Sequence, residues 1–155
     1  MARDYVLRLI EQVANLLASV LARRVADDAP AARQEVEDLC VQTVGLSLAT
    51  VKAMTPDAVA AHLAAAGGLG PVRAVLLAEL LLQDGELCDD SGNVAGGWGA
   101  RLHAFCLLHD AYPVFSPEER TFYLPKLQVL AGRFAPLPPN DYTTHRVESV
   151  RRLLP

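Results

Sequence analysis

The chain has 155 residues, of which 52% are hydrophobic and 21% charged, and its net charge is -4. That length suits one domain with a real core, and that composition excludes an intrinsically disordered segment. The acidic balance counts against nucleic acid as a main partner, because neutralising phosphates needs clustered Lys and Arg.

Apolar residues at three- and four-residue steps predict a first helix over 3–25, with Val6, Leu9, Ile10, Val13, Leu16, Leu17, Val20 and Leu21 on its buried face. Arg8, Glu11 and Gln12 fall where the apolar centre of a signal peptide would lie, so none is expected. The apolar runs Val13 to Ala22 and Ala74 to Leu82 are interrupted by Asn15, Ser19 and Glu79. Both fall short of the roughly 20 residues that cross a bilayer, so no integral membrane association is expected.

A second helix starts at Asp27-Asp28 and Pro30 and stops at Gly45, a residue suited to the left-handed cap. Thr55-Pro56-Asp57 starts another, which Gly67 and Gly68 stop. Gly70-Pro71 opens the most apolar helix, Val72 to about Asp89. Leu76, Leu77, Leu80, Leu81 and Leu82 surround it, as in a central helix.

The turn Asp90-Ser91-Gly92-Asn93 follows, then a helix with Leu102, Phe105, Cys106 and Leu108 that ends near Tyr112-Pro113. Ser116-Pro117-Glu118-Glu119 spells a capping box, and its helix runs to about Phe134. Pro136, Pro138 and Pro139 form a stiff linker, after which Asn140 is expected to cap a last helix holding Val147, Val150 and Leu153. Strand signals are nearly absent. The expectation is an all-α domain over 1–155 with seven or eight helices, whose short connections make successive helices antiparallel neighbours.

Leu81, Gly85, Cys88 and Gly92 suit the first helix and turn of a paired-helix motif, and Gly97 and Ala104 suit the small positions of its second helix. On these residues the stretch from Leu77 to Pro113 resembles one degenerate tetratricopeptide (TPR) repeat, two antiparallel helices in about 34 residues. The usual tryptophan and large aromatic of that motif are not matched. The opening string Arg3-Asp4-Tyr5-Val6-Leu7-Arg8-Leu9-Ile10-Glu11-Gln12 resembles the start of a bacterial family of uncharacterised, all-helical, TPR-like proteins. The resemblance implies a right-handed array of antiparallel helical hairpins and no reaction. Its parts are an N-terminal hairpin over 3–45, short helices over 47–66, a TPR-like pair over 71–112 and C-terminal helices over 116–153. Gly96, Gly97 and Gly99 are each costly inside a helix, so the second helix of the pair is expected to begin near Ala100 behind a mobile loop. An array this short needs its exposed end covered, by the N-terminal hairpin or by a second copy of the chain.

His103, Cys106 and His109, with Asp110 beside the last, are candidates for a metal site. On a helix His103 and His109 point about 120° apart, so ligands from elsewhere would be needed. Cys40, Cys88 and Cys106 are widely spaced and lie in apolar contexts, which fits free, buried thiols in a reducing cytoplasm. No glycine-rich oxyanion turn accompanies them. The glycines of 92–99 follow no strand and precede no Lys-Ser or Lys-Thr, so they form no phosphate loop. Trp98 is either an exposed anchor or a plug between two helices.

Glu79, Glu86, Asp89 and Asp90, with Leu82 among them, share one face of the central helix. They are the candidate peptide-binding groove, suited to a basic segment. His145, Arg146, Arg151 and Arg152 make the last helix basic, able to dock on that acidic stripe, and Arg3, Arg8, Arg23 and Arg24 offer a basic face on the first helix. The expected function is a non-enzymatic protein–protein interaction or scaffold module, with a possible homodimer and no cofactor. The alternatives are a small metal- or thiol-dependent enzyme using His103, Cys106 and His109, and a membrane-surface or nucleic-acid adaptor.

Overall fold

A computed structural model describes the backbone of residues 2–65 and 70–153, with the side chains from residue 11 onward except 12, 13, 16 and 70. Among these residues the chain is all-α, with eight helices and no strand. The order is α1 (Ala2–Val25), α2 (Ala29–Val44), α3 (Leu48–Ala53), α4 (Pro56–Ala64), α5 (Gly70–Asp90), α6 (Val94–Ala111), α7 (Pro117–Phe134) and α8 (Thr144–Arg152), with one 3-10 turn at Tyr112–Val114. The stop at Gly67–Gly68 and the side chains of Arg3, Val6, Arg8, Leu9, Ile10, Val13 and Leu16 lie outside the described residues.

The helix starts follow local chemistry. Asp28 accepts from the amide of Ala31 at 3.3 Å, Ser47 from Thr50 at 3.1 Å and Thr55 from Ala58 at 3.1 Å. Each satisfies an orphan donor, an effect of about 1 kcal/mol. Gly45 ends α2 at φ 75°, its amide bonding the Val41 carbonyl at 2.9 Å. The capping box closes in both directions: Glu119 N–H donates to Ser116 Oγ, and Ser116 N–H donates to Glu119 Oε1, each at 3.3 Å.

Three local expectations are corrected. Helix α6 begins at Val94, not near Ala100, and runs straight through Gly96, Gly97 and Gly99. Asn93 caps it by accepting from the Gly96 amide at 3.0 Å, and the packing of Trp98 and Arg101 offsets what the glycines cost. Asn140 does not cap α8. It accepts from the Tyr142 amide at 2.8 Å and so forms a turn that delays the helix to Thr144. Leu21 is 44% exposed, because Leu17 and Val20 occupy the inward face of this end of α1.

Helix α5 is the centre. Leu77, Ala78, Leu81 and Leu87 are almost fully buried, and α1, α2, α4 and α6 pack around it. Helix α6 runs back along α5, with Gly97 beside Asp89 and Arg101 beside Gly85. Helices α7 and α8 pack on the α6 side, where Phe105 stacks on Phe134 with centroids 5.5 Å apart. Trp98 meets Phe134 edge-on at 5.4 Å and is half-buried, so it serves as a plug between α6 and α7.

Candidate functional site

The candidate surface is a furrow of about 400 Å³ between α5 and α7. Helix α5 contributes Glu79, Leu82, Gln83 and Glu86, and helix α7 contributes Pro125, Lys126, Val129 and Arg133. Arg101 of α6 and Leu130 of α7 complete the lining. Three of the five residues assigned from sequence to a groove therefore line one. Asp89 and Asp90 do not line it.

Each carboxylate of the acidic stripe has a cation of its own chain. Glu79 is 5% exposed and accepts from Lys126 Nζ at 2.7 Å. Glu86 lies 3.9 Å from Arg24 and 3.6 Å from Arg101. Asp90 accepts from Arg24 at 3.1 and 3.2 Å. Asp89 receives both prongs of the Arg101 guanidinium, at 3.2 and 2.5 Å. The hydrogen bonds from Arg101 hold the Asp89 carboxyl below its usual range, and Asp89 in turn raises Arg101. These pairs join α1, α6 and α7 to α5, so the stripe is an internal seam as well as a surface.

The glycines of α5 and α6 explain how Arg101 fits. A Cβ on Gly97 would lie 2.9 Å from Asp89 Oδ1 and 3.0 Å from an Arg101 nitrogen. A Cβ on Gly85 would meet three Arg101 atoms at 3.3 to 3.4 Å. The two small residues leave a slot in which a nearly buried arginine crosses the helix pair.

The side of the furrow on α7 was not anticipated. Val129 is 64% exposed and Phe122, one heptad earlier, is 51% exposed. Lys126 joins this patch to α5, because its ammonium sits 5.0 Å from the Phe122 ring centroid while it bonds Glu79. The sequence signal was the spacing of Phe122, Pro125 and Val129 at i, i+3 and i+7 after the capping box.

The histidines and cysteine of α6 are not brought together. His103 is 3% exposed, with its ring against the backbone carbonyls of Lys52 and Met54, and burial lowers its pKa. Cys106 faces the Tyr142 carbonyl at 3.8 Å. His109 bonds Asp110 at 2.8 Å and Ser149 at 2.9 Å. Among the described residues no three His, Cys, Asp or Glu side chains form a group able to hold a metal ion. Burial pushes the Cys40 thiol up to about 12 and the Cys106 thiol up to about 11, and it also raises Cys88. A thiol so shifted carries almost no thiolate at neutral pH.

Helix α8 docks through Arg146, which is 7% exposed and bonds both oxygens of Asp110 at 3.0 and 2.8 Å. It therefore meets α6 and not the acidic face of α5. Burial alone would raise the Asp110 carboxyl, but hydrogen bonds from His109 and Arg146 hold it down at about 2. Beside Asp110 an apolar pocket of about 360 Å³ lies among α4, α5 and α6, lined by Leu63, Ala74, Cys106 and Leu107 among others.

No protein-family model matches the chain, and no curated protein and no solved structure is significantly similar to it. No helix among the described residues is long and apolar enough to cross a membrane.

Proposed function

We propose that this chain is a non-catalytic helical interaction module, of TPR-like hairpin architecture, that binds a protein segment on the face formed by α5 and α7. The supporting observation is the pair Phe122 and Val129, which stand exposed beside a furrow with apolar side chains from both helices. Exposed large apolar side chains grouped along a furrow are a mark of binding surfaces, whereas single ones are ordinary. Every acid of the stripe already has an intramolecular cation. Recognition therefore rests on apolar contact, with Glu86 and Arg133 at the rim setting orientation, and a purely basic peptide is not required.

Membership of the bacterial TPR-like family whose members open with a string like Arg3–Gln12 belongs to the same proposal. So does a cytoplasmic location, which the three buried thiols favour.

The test is affinity purification of the tagged chain from its host. Phe122→Ser with Val129→Ser should remove co-purifying protein, while Val25→Ser with Val94→Ser, at exposed positions away from the furrow, should not. Equal recovery from both double variants would refute the assignment of this face.

A further inference from the structure

Helix α7 carries a self-complementary stripe. Glu118, Phe122, Pro125, Val129 and Arg133 follow one another at steps of four, three, four and four residues. At 100° per residue they fall within an arc of about 80°. All five are exposed, and Phe122 and Val129 are its two large apolar members. The order of chemistry is acid, aromatic, proline, aliphatic, base, and it reads in reverse about a point between Pro125 and Lys126. A two-fold axis through that point sets Phe122 of one copy against Val129 of the other and Glu118 against Arg133, with both pairs repeated by symmetry.

We infer that the partner on the α5–α7 face is a second copy of this chain, its α7 packed antiparallel on the first. The inference rests on the interaction reading given above and names its partner. The helix macrodipole accounts for an acid in the first turn and a base in the last. Arg133 also acts on Asp89 of α5, and charge-matched pairing of two copies is compatible with that while placing both charges on the 80° arc that holds Phe122 and Val129. Lys126 is held aside by Glu79 at 2.7 Å, which keeps two ammonium groups from meeting at the axis. The furrow beside the stripe gives the partner's apolar side chains a place to seat. A contact made by one helix from each copy is small, so it dissociates readily on dilution.

Sedimentation velocity of the full chain from 10 to 500 micromolar tests it. The expected result is a concentration-dependent dimer. Arg133→Glu should weaken it at least tenfold by setting two acids face to face, and Glu118→Arg added to Arg133→Glu should restore it. These positions are exposed, and unchanged circular dichroism checks that the variants fold. A mixture of Phe122→Cys and Val129→Cys chains should cross-link under mild oxidation faster than either alone.

A wild type that stays monomeric at 500 micromolar overturns the proposal. So does a dimer indifferent to Arg133→Glu. A monomeric wild type that still captures host protein through Phe122 and Val129 would leave the interaction module standing with a different partner. A monomer that captures nothing through them would remove both.

Discussion

Arg101 and Asp89 clasp each other across the two central helices, and the guanidinium passes through a slot left open by Gly85 and Gly97. Helix α6 tolerates its glycines because one of them performs this steric task. Two glycines of the same helix should therefore respond differently to alanine. Gly97→Ala places a Cβ 2.9 Å from Asp89 Oδ1 and 3.0 Å from an Arg101 nitrogen, so the ion pair must shift and the variant should keep less than the roughly 1 kcal/mol gained in helix propensity. At Gly99 the nearest atom to a Cβ is Lys52 Cε at 4.0 Å, so Gly99→Ala should stabilise by about 0.5–1 kcal/mol. Urea unfolding of the two variants checks the difference.

Stability should fall towards acid in two separate windows. His103 is buried and its pKa lies below the unfolded value near 6.5. The unfolded chain then binds the extra proton first, so this contribution is complete above about pH 6.5 and is lost as pH drops below it. His103→Gln should flatten that limb. Asp110 has a folded pKa of about 2 against roughly 3.9 unfolded, so its contribution is complete above about pH 4 and is lost as pH falls through 2. Asp110→Asn should shrink the lower limb, to which the Asp89 carboxyl held down by Arg101 also contributes, and leave the upper one. Thermal melts at half-unit pH steps resolve the two.

The three thiols should be silent in the folded protein. Cys40, Cys88 and Cys106 are buried, and burial raises each of them. A thiol reagent at pH 8 should titrate no cysteine within minutes under native conditions and all three in denaturant. Rapid native labelling of one thiol would show an open site beside it.

Several helix boundaries were legible because caps are local. Ser116 with Glu119, Thr55 with Pro56 and the left-handed Gly45 each act within four residues. The centrality of α5 was legible for a related reason: a helix apolar on most sides has to be surrounded. The start of α6 was misread, because glycine propensity is a weak local cost and the Arg101–Asp89 slot is a tertiary gain that no local rule sees.

The candidate site was half legible. Glu79, Leu82 and Glu86 lie on one helix, so their shared face follows from spacing alone. Their cations Arg24, Arg101 and Lys126 come from three other helices, and no spacing rule pairs them. Phe122 and Val129 were visible as a heptad on α7, but which face of that helix stays uncovered depends on how α7 packs. His103, Cys106 and His109 shared a helix in sequence and diverge in space, because His103 is buried beside Lys52 and Met54 while Cys106 faces Tyr142 and His109 faces Ser149.

The most direct test of the central claim is photo-cross-linking in the host from a benzophenone side chain placed at Val129, with the same group at Val94 as the control. Both positions are more than 60% exposed, so accessibility is matched and only the face differs. A discrete protein adduct from position 129 that is absent from position 94 is the expected result. An adduct pattern identical at the two positions, or none at 129, would contradict a binding face formed by α5 and α7.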